Sequence, residues 1–66
     1  MEFEFYVCAT GHDDFRFQDA ETAKHAGHAI SKVLESESYN PWGVQVVDCR
    51  SGEILAYWRG NGKVLS

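Results

Sequence analysis

Only one stretch of this chain has the apolar spacing of a helix, and the segments on both sides of it have the spacing of strands. Between Ala20 and Glu35 or Ser36, apolar residues recur every three or four positions. These positions are Ala23, Ala26, Ile30, Val33 and Leu34. A chain of 66 residues has room for one core. The pattern predicts a single domain over residues 1–66, of the α+β class, with one helix packed on an antiparallel sheet of about three to five strands.

The first hairpin is predicted before the helix. Residues 2–9 alternate between apolar and polar positions, which is the period of a half-buried strand. The residues on the face that we expect to be buried are Phe3, Phe5 and Val7. Residues 10–14 have turn-forming chemistry, and residues 15–18 alternate again as a short returning strand. Asp19 then predicts the N-cap of the helix.

A second hairpin is predicted after the helix. Residues 42–49 are rich in Val, and residues 53–59 form the partner strand. Residues 50–52 fit a three-residue loop with Gly52 in the left-handed conformation. A last short strand is expected over residues 63–65. The side of the sheet that each residue faces stays open here, because two pairs of apolar neighbours are adjacent: Val46 with Val47, and Ile54 with Leu55.

Five residues could bind a metal or form a cross-link, and each has a simpler interpretation: Cys8, His12, His25, His28 and Cys49. Cys8 and Cys49 are expected to be reduced and buried, as small apolar residues on strands. His25 and His28 lie three residues apart and share a helix face. Zinc requires four ligands, or three and a water, and the chain has no close pair of Cys residues. We therefore expect no metal site and no cofactor.

The run His12-Asp13-Asp14 has the composition of an acid–base cluster, but it lies in a predicted turn. A catalytic carboxylate or imidazole needs a pocket that changes its pKa, and a sheet with one helix rarely encloses one. No Ser-centred elbow, P-loop or dinucleotide fingerprint is present in the sequence. The sequence therefore predicts a protein that is not an enzyme and has no catalytic residues.

Negative charge is concentrated in the first third of the chain. The formal net charge is −4, and residues 1–22 contain six carboxylates but only one Arg. The six carboxylates belong to Glu2, Glu4, Asp13, Asp14, Asp19 and Glu21. We expect these residues to bind a basic partner, with the hairpin tip and the helix start forming one acidic surface. The acidic balance argues against direct nucleic-acid binding, and solubility is the alternative role of these charges.

The aromatic residues suggest a further surface. One helix cannot cover both faces of a sheet of four or so strands, so some aromatic side chains must lie near the surface. The candidates are Tyr6, Tyr39, Trp42, Tyr57 and Trp58. A second hypothesis is therefore that the chain is a small accessory or regulatory domain, which forms a homodimer through this face instead of binding a basic partner. No apolar run is long enough for a membrane span and no signal peptide begins the chain, so a cytoplasmic location is expected.

The predicted second hairpin resembles a known family. The segment Gly52 to Val64, with Leu55-Ala56-Tyr57 and Asn61-Gly62-Lys63, is similar to the C-terminal hairpin of a small phage-encoded anti-CRISPR protein. That family inhibits type I (Cascade) surveillance complexes. The resemblance implies a non-enzymatic viral inhibitor in the host bacterial cytoplasm, bound to a basic DNA-binding subunit of the complex. It also implies that the six acidic residues stand where DNA phosphates would lie, so that target DNA is excluded.

Overall fold

The computed structural model describes residues 3–38 and 40–62, and these residues form one helix and four strands. In chain order the elements are β1 (Phe5–Ala9), β2 (Phe15–Phe17), α1 (Ala20–Glu37), β3 (Trp42–Asp48) and β4 (Ile54–Gly60). The strands form one antiparallel sheet in the order β2-β1-β3-β4, and α1 packs on one face of it. The α+β prediction is confirmed.

The helix begins and ends where local chemistry places it. Asp19 is the N-cap, and its carboxylate accepts hydrogen bonds from Thr22 N and Thr22 Oγ1 at 2.8 and 3.0 Å. At the other end, Ser38 N donates to Leu34 O at 2.8 Å, and Pro41 follows before β3. The predicted start at Ala20 is confirmed, and the observed end at Glu37 lies one or two residues beyond the predicted one.

The core lies between α1 and the two central strands. Val7, Val44 and Val46 are fully buried on the face of the sheet that meets the helix. The buried residues of α1 are Ala23, Gly27 and Ser31, which form one row of residues at a spacing of four. Small residues in this row allow the helix backbone to approach the sheet closely.

The predicted helix stripe was wrong at one residue. Val33 is 50% exposed, because it lies about 120° around the helix from Gly27, the centre of the buried row. Phe3 was also expected to be buried and is 48% exposed, since β1 begins only at Phe5. Glu2, Tyr39 and the strand expected over residues 63–65 lie outside the described residues.

A β-bulge settles the register that the sequence left open. Val46 pairs with Ala56, but Val47 pairs with Ile54, so Leu55 is an extra residue in β4. Val46 therefore faces α1, while Val47 lies on the opposite face of the sheet, which we call the outer face. The extra residue also lets Leu55 and Ala56, although adjacent, both pack against the core.

The turn of the second hairpin is one residue longer than predicted. Gly52 N donates to Asp48 O at 2.8 Å, and Asp48 N donates to Glu53 O at 2.9 Å, so the loop is residues 49–52. Gly52 has a φ of 75°, and the left-handed conformation predicted for it is confirmed.

Both cysteines are exposed, and the expectation that they would be buried was wrong. Cys8 pairs with Gln45 on the outer face, which α1 does not cover, and Cys49 lies in the hairpin loop. Cys8 lies opposite Gln45, and Cys49 follows Gln45 by four residues, which is roughly 13 Å along an extended strand. This exceeds the Cα separation of a disulfide, so the fold holds the two thiols apart.

Candidate functional site

The strand β2 separates the predicted acidic residues into two groups. Asp13 and Asp14 lie at the tip of the first hairpin, before β2, whereas Asp19 and Glu21 lie after it, at the start of α1. Asp14 and Asp19 are five residues apart across an extended segment, a span of up to about 16 Å. The single acidic surface expected from residues 10–22 is therefore divided between opposite ends of the sheet.

The group at the helix start gains carboxylates from other strands. Glu4 N donates to Phe17 O at 3.2 Å, and Cys49 N donates to Glu4 O at 2.8 Å. These two bonds bring the start of β1, the end of β2 and the loop of the second hairpin to the same end of the sheet. We call this region the acidic end. Its carboxylates belong to Glu4, Asp19, Glu21, Asp48 and Glu53.

Sequence reasoning missed two members of the acidic end, Asp48 and Glu53. Neither belongs to the acidic first third of the chain, and they join it only because β3 pairs with β1. The signal available in the sequence was the predicted second hairpin, whose loop had to lie at one end of the sheet or the other. Pairing β3 antiparallel to β1 places that loop beside Glu4.

The carboxylates of the acidic end differ in how they are engaged. Glu4 forms an exposed ion pair with Arg50, with 3.2 Å between Oε2 and the guanidinium nitrogen. Asp48 Oδ1 accepts from the backbone N of Arg50 at 2.8 Å. The hydrogen bonds from Thr22, first from its backbone N–H and then from its hydroxyl, lower the pKa of Asp19.

Two carboxylates of the acidic end remain available for a partner. Glu21 and Glu53 are exposed, and within the described residues neither carboxylate has an ion-pair or hydrogen-bond partner. Arg50, in the loop of the second hairpin, is the cation that forms an ion pair at this end, and its partner is Glu4. Negative charge is therefore in excess here, and it is exposed to solvent.

The second acidic group, Asp13 and Asp14, lies at the hairpin tip beside Cys8. Asp14 lies opposite Cys8 when the register of β1 and β2 is continued by one residue. Partial burial, and then the charge and hydrogen bond of Asp14, raise the pKa of the Cys8 thiol. A thiol with a raised pKa is a poor nucleophile at neutral pH. The side chain of Asp13 is exposed at the same tip.

Outside the acidic end, several described polar side chains line open depressions of the surface, one of which, of about 300 Å³, includes His28, Lys32, Glu35 and Arg59. Among residues 3–38 and 40–62, no three His, Cys, Asp or Glu side chains converge on a position for an ion. The ring of His28 lies 6.0 Å from that of Trp58, centroid to centroid, beside the helix. An open depression of about 740 Å³ passes between Thr10 and Tyr57 on the outer face. His, Cys, Asp and Glu are absent from its described lining.

Of the aromatic residues that the sequence predicted near the surface, Trp58 is half-buried on the helix side, whereas Tyr57 and the half-buried Tyr6 lie on the outer face of the sheet. Tyr57 is 52% exposed there and lies across Gly43, where an added Cβ would be 3.6 Å from its ring. Trp42, another candidate, is buried on the helix side. Within the described ranges, α1 is the one helix, and it lacks the length and apolar content needed to cross a bilayer.

The described residues form a small ββαββ fold with one acidic end and one sheet face that α1 does not cover. The chain matches no protein-family model, no curated protein and no solved structure. The resemblance of the second hairpin to anti-CRISPR proteins therefore stays a prediction.

Proposed function

We propose that this protein is a non-enzymatic inhibitor that docks its acidic end on a basic, DNA-binding protein. The observation that carries the proposal is the gathering of five carboxylates at one end of the sheet, with Glu21 and Glu53 exposed and unpaired among the described residues. Such an excess of one charge at one end accelerates association with a surface of opposite charge.

The arrangement of the acidic end suits mimicry of a DNA backbone. Glu4, Asp48 and Glu53 lie at the ends of three neighbouring strands, β1, β3 and β4. Neighbouring strands are about 4.8 Å apart, and one DNA strand carries a phosphate every ~3.4 Å along the helix axis. These three acidic residues therefore lie on neighbouring strand ends, at backbone spacings of the same order as the spacing of phosphates.

The specific form of the proposal is an anti-CRISPR protein. The resemblance of residues 52–64 supports a type I surveillance complex as the target, in the cytoplasm of a bacterial host. The partner would be a DNA-binding subunit, whose basic groove takes the acidic end in place of target DNA. Inhibition would be stoichiometric, because a non-enzymatic inhibitor blocks only the complex to which it is bound.

The test combines retention with DNA binding. Immobilised protein is mixed with a purified type I surveillance complex, and target-DNA binding by the complex is measured with and without the protein. We expect retention that decreases with added salt, and loss of DNA binding at a one-to-one ratio. Retention of no subunit at low salt, across several such complexes, would overturn the anti-CRISPR form.

A matched pair of variants locates the surface in the same experiment. The double variant Glu21→Lys/Glu53→Lys reverses two free carboxylates at the acidic end. The control Asp13→Lys/Glu37→Lys reverses two exposed carboxylates at the opposite end and changes the net charge equally. Loss of retention in the first variant alone assigns binding to the acidic end. Equal loss in both would contradict this assignment and indicate an unspecific charge effect.

A further inference from the structure

The strand β4 has a long edge with which no strand of the described residues pairs. It is an outer strand of seven residues, and the described residues form no strand on its far side. The other edge of the sheet, β2, has only three residues, and a short edge strand gives little to pair with. Beyond the bulge at Leu55, residues 56–60 contain no Pro, and Arg59 is their one charged residue. Within residues 3–38 and 40–62, no strand pairs with the outward-facing backbone groups of this segment, so another strand could pair with them.

The side chains of this segment are sorted between the two faces of the sheet. Tyr57 and Arg59 lie opposite Gln45 and Gly43 on the outer face, and both are exposed. The other three residues, on the helix side, are Ala56, Trp58 and Gly60. A strand that pairs with this edge must match the same alternation, because residues directly opposite each other share a face.

We propose that a second copy of this chain pairs with the edge, β4 against β4, antiparallel and centred on Trp58. In this register Tyr57 of each copy lies opposite Arg59 of the other, and Ala56 lies opposite Gly60. The pairing thus sets a guanidinium beside a phenol ring twice, on the outer face, which is a favourable cation–π geometry. The interface is isologous, as expected of a two-fold dimer.

The two neighbouring registers bring less compatible side chains opposite each other. Centring the pair on Arg59 places two guanidinium groups directly opposite each other, and like charges in this position are destabilising. Centring it on Tyr57 places Leu55 opposite Arg59. The bulge has turned Leu55 towards the core, so the two side chains would face opposite sides of the sheet. The bulge and Arg59 therefore select Trp58 as the centre.

The same register keeps the acidic ends of the two copies apart. Each acidic end lies before the start of β4, at Glu53, five residues from the centre of the pair. Antiparallel pairing sends them in opposite directions, so they lie about 33 Å apart. This distance exceeds the Debye length at physiological salt, so the repulsion between them is screened. The inference does not depend on the proposed function.

Opposite substitutions at Tyr57 test the register. The side chain is half exposed on the outer face, so replacing it empties no core. Tyr57→Glu places a carboxylate opposite Arg59 of the other copy, and we expect a dimer at least as tight as that of the unmodified protein. Tyr57→Lys places like charges opposite each other twice, and we expect a dimer at least about tenfold weaker. Net charge alone predicts that the Tyr57→Lys dimer is the tighter of the two, because this variant is less acidic and its copies repel each other less.

The measurement is the dimer dissociation constant from sedimentation equilibrium, over micromolar to millimolar concentrations. The double variant Tyr57→Lys/Arg59→Glu restores opposite charges, and we expect it to recover the dimer. Amide NMR shifts that change with concentration should be confined to residues 56–60. A monomer at every concentration overturns the proposal. Equal weakening by the Glu and Lys variants, with shifts at Tyr6 and Gln45, overturns it in favour of a dimer stacked through the outer face.

Discussion

Trp42 Nε1 donates a hydrogen bond of 2.9 Å to Glu35 Oε2, which joins the last part of α1 to the first residue of β3. The indole is only 7% exposed, so its N–H needs a partner within the protein. Gly60 makes room for the pair, because a Cβ at this position would lie 2.5 Å from Glu35 Oε2. One carboxylate of this acidic protein is therefore used to hold the helix to the second hairpin.

Removing this acceptor should destabilise the domain. We expect Glu35→Ala to lower the free energy of unfolding by about 1–2 kcal/mol, because the indole N–H loses its partner. Glu35→Gln keeps an acceptor oxygen and should cost less. Urea unfolding followed by Trp fluorescence measures both variants. Equal stability of Glu35→Ala and the unmodified protein would mean that the bond contributes nothing in solution.

Gly27 is predicted to be required despite its position inside α1. An added Cβ would lie 2.7 Å from Trp58 Cζ3 and 3.0 Å from Val46 Cγ2, so the helix would have to move away from the sheet. We expect Gly27→Ala to lower the free energy of unfolding by about 1–3 kcal/mol. Helix propensity alone predicts that Gly27→Ala raises the free energy of unfolding by up to about 1 kcal/mol. The sign of the measured change therefore shows which of the two effects is larger. The control Ala29→Gly, at an exposed helix position, should show the propensity term alone.

The Asp19 cap should make stability depend on pH in the acid range. Hydrogen bonds from Thr22 hold the pKa of Asp19 below its ordinary value. The folded state therefore favours the carboxylate, whose stabilising effect is complete above the unfolded pKa. It is lost as the pH falls below about 4, through the lower pKa of the folded state. Thermal unfolding at several pH values measures this effect.

Variants separate the charge of Asp19 from its capping role. Asp19→Asn still caps the helix but does not titrate, so its melting temperature should fall less between neutral and acid pH. Asp19→Ala should lower the melting temperature at neutral pH, because the amide of Thr22 loses its acceptor. If Asp19→Asn and the unmodified protein lose the same stability in acid, the carboxylate does not act in this way.

Asp14 should protect the thiol of Cys8. Burial and the neighbouring Asp14 carboxylate raise the pKa of Cys8, so the reactive thiolate is scarce near neutral pH. In a Cys49→Ser background, which leaves one thiol, we expect Asp14→Asn to speed alkylation of Cys8 at mildly alkaline pH. Asp13→Asn is the matched control and should leave the rate unchanged. A rate that responds equally to both substitutions would exclude a specific contact between Asp14 and Cys8.

The parts of the fold that depend on local chemistry were predictable from the sequence. The cap at Asp19 and the left-handed Gly52 follow from interactions within a few residues, and both are observed. The burial of Val33 was predicted wrongly, because apolar periodicity does not show which row of the helix meets the sheet. The small residues Ala23 and Gly27 decide that row by allowing close approach.

The candidate site depended on contacts between distant parts of the chain. The acidic end forms because β3 pairs with β1, which brings Asp48 and Glu53 beside Glu4. The bulge at Leu55 could not be read from two adjacent apolar residues, since either one can face the core. Charge counted along the chain therefore grouped Asp13 with Asp19, whereas the fold places them at opposite ends.

Whether the acidic end is the binding surface is tested most directly by the rate at which the charge-reversed variants associate with a type I surveillance complex, measured at increasing salt. We expect Glu21→Lys/Glu53→Lys to slow association at least about tenfold at low salt and to flatten the salt dependence. The control Asp13→Lys/Glu37→Lys should associate at nearly the unmodified rate. Unchanged association of the Glu21→Lys/Glu53→Lys variant, or greater slowing by the control, would contradict the claim that the acidic end is the binding surface.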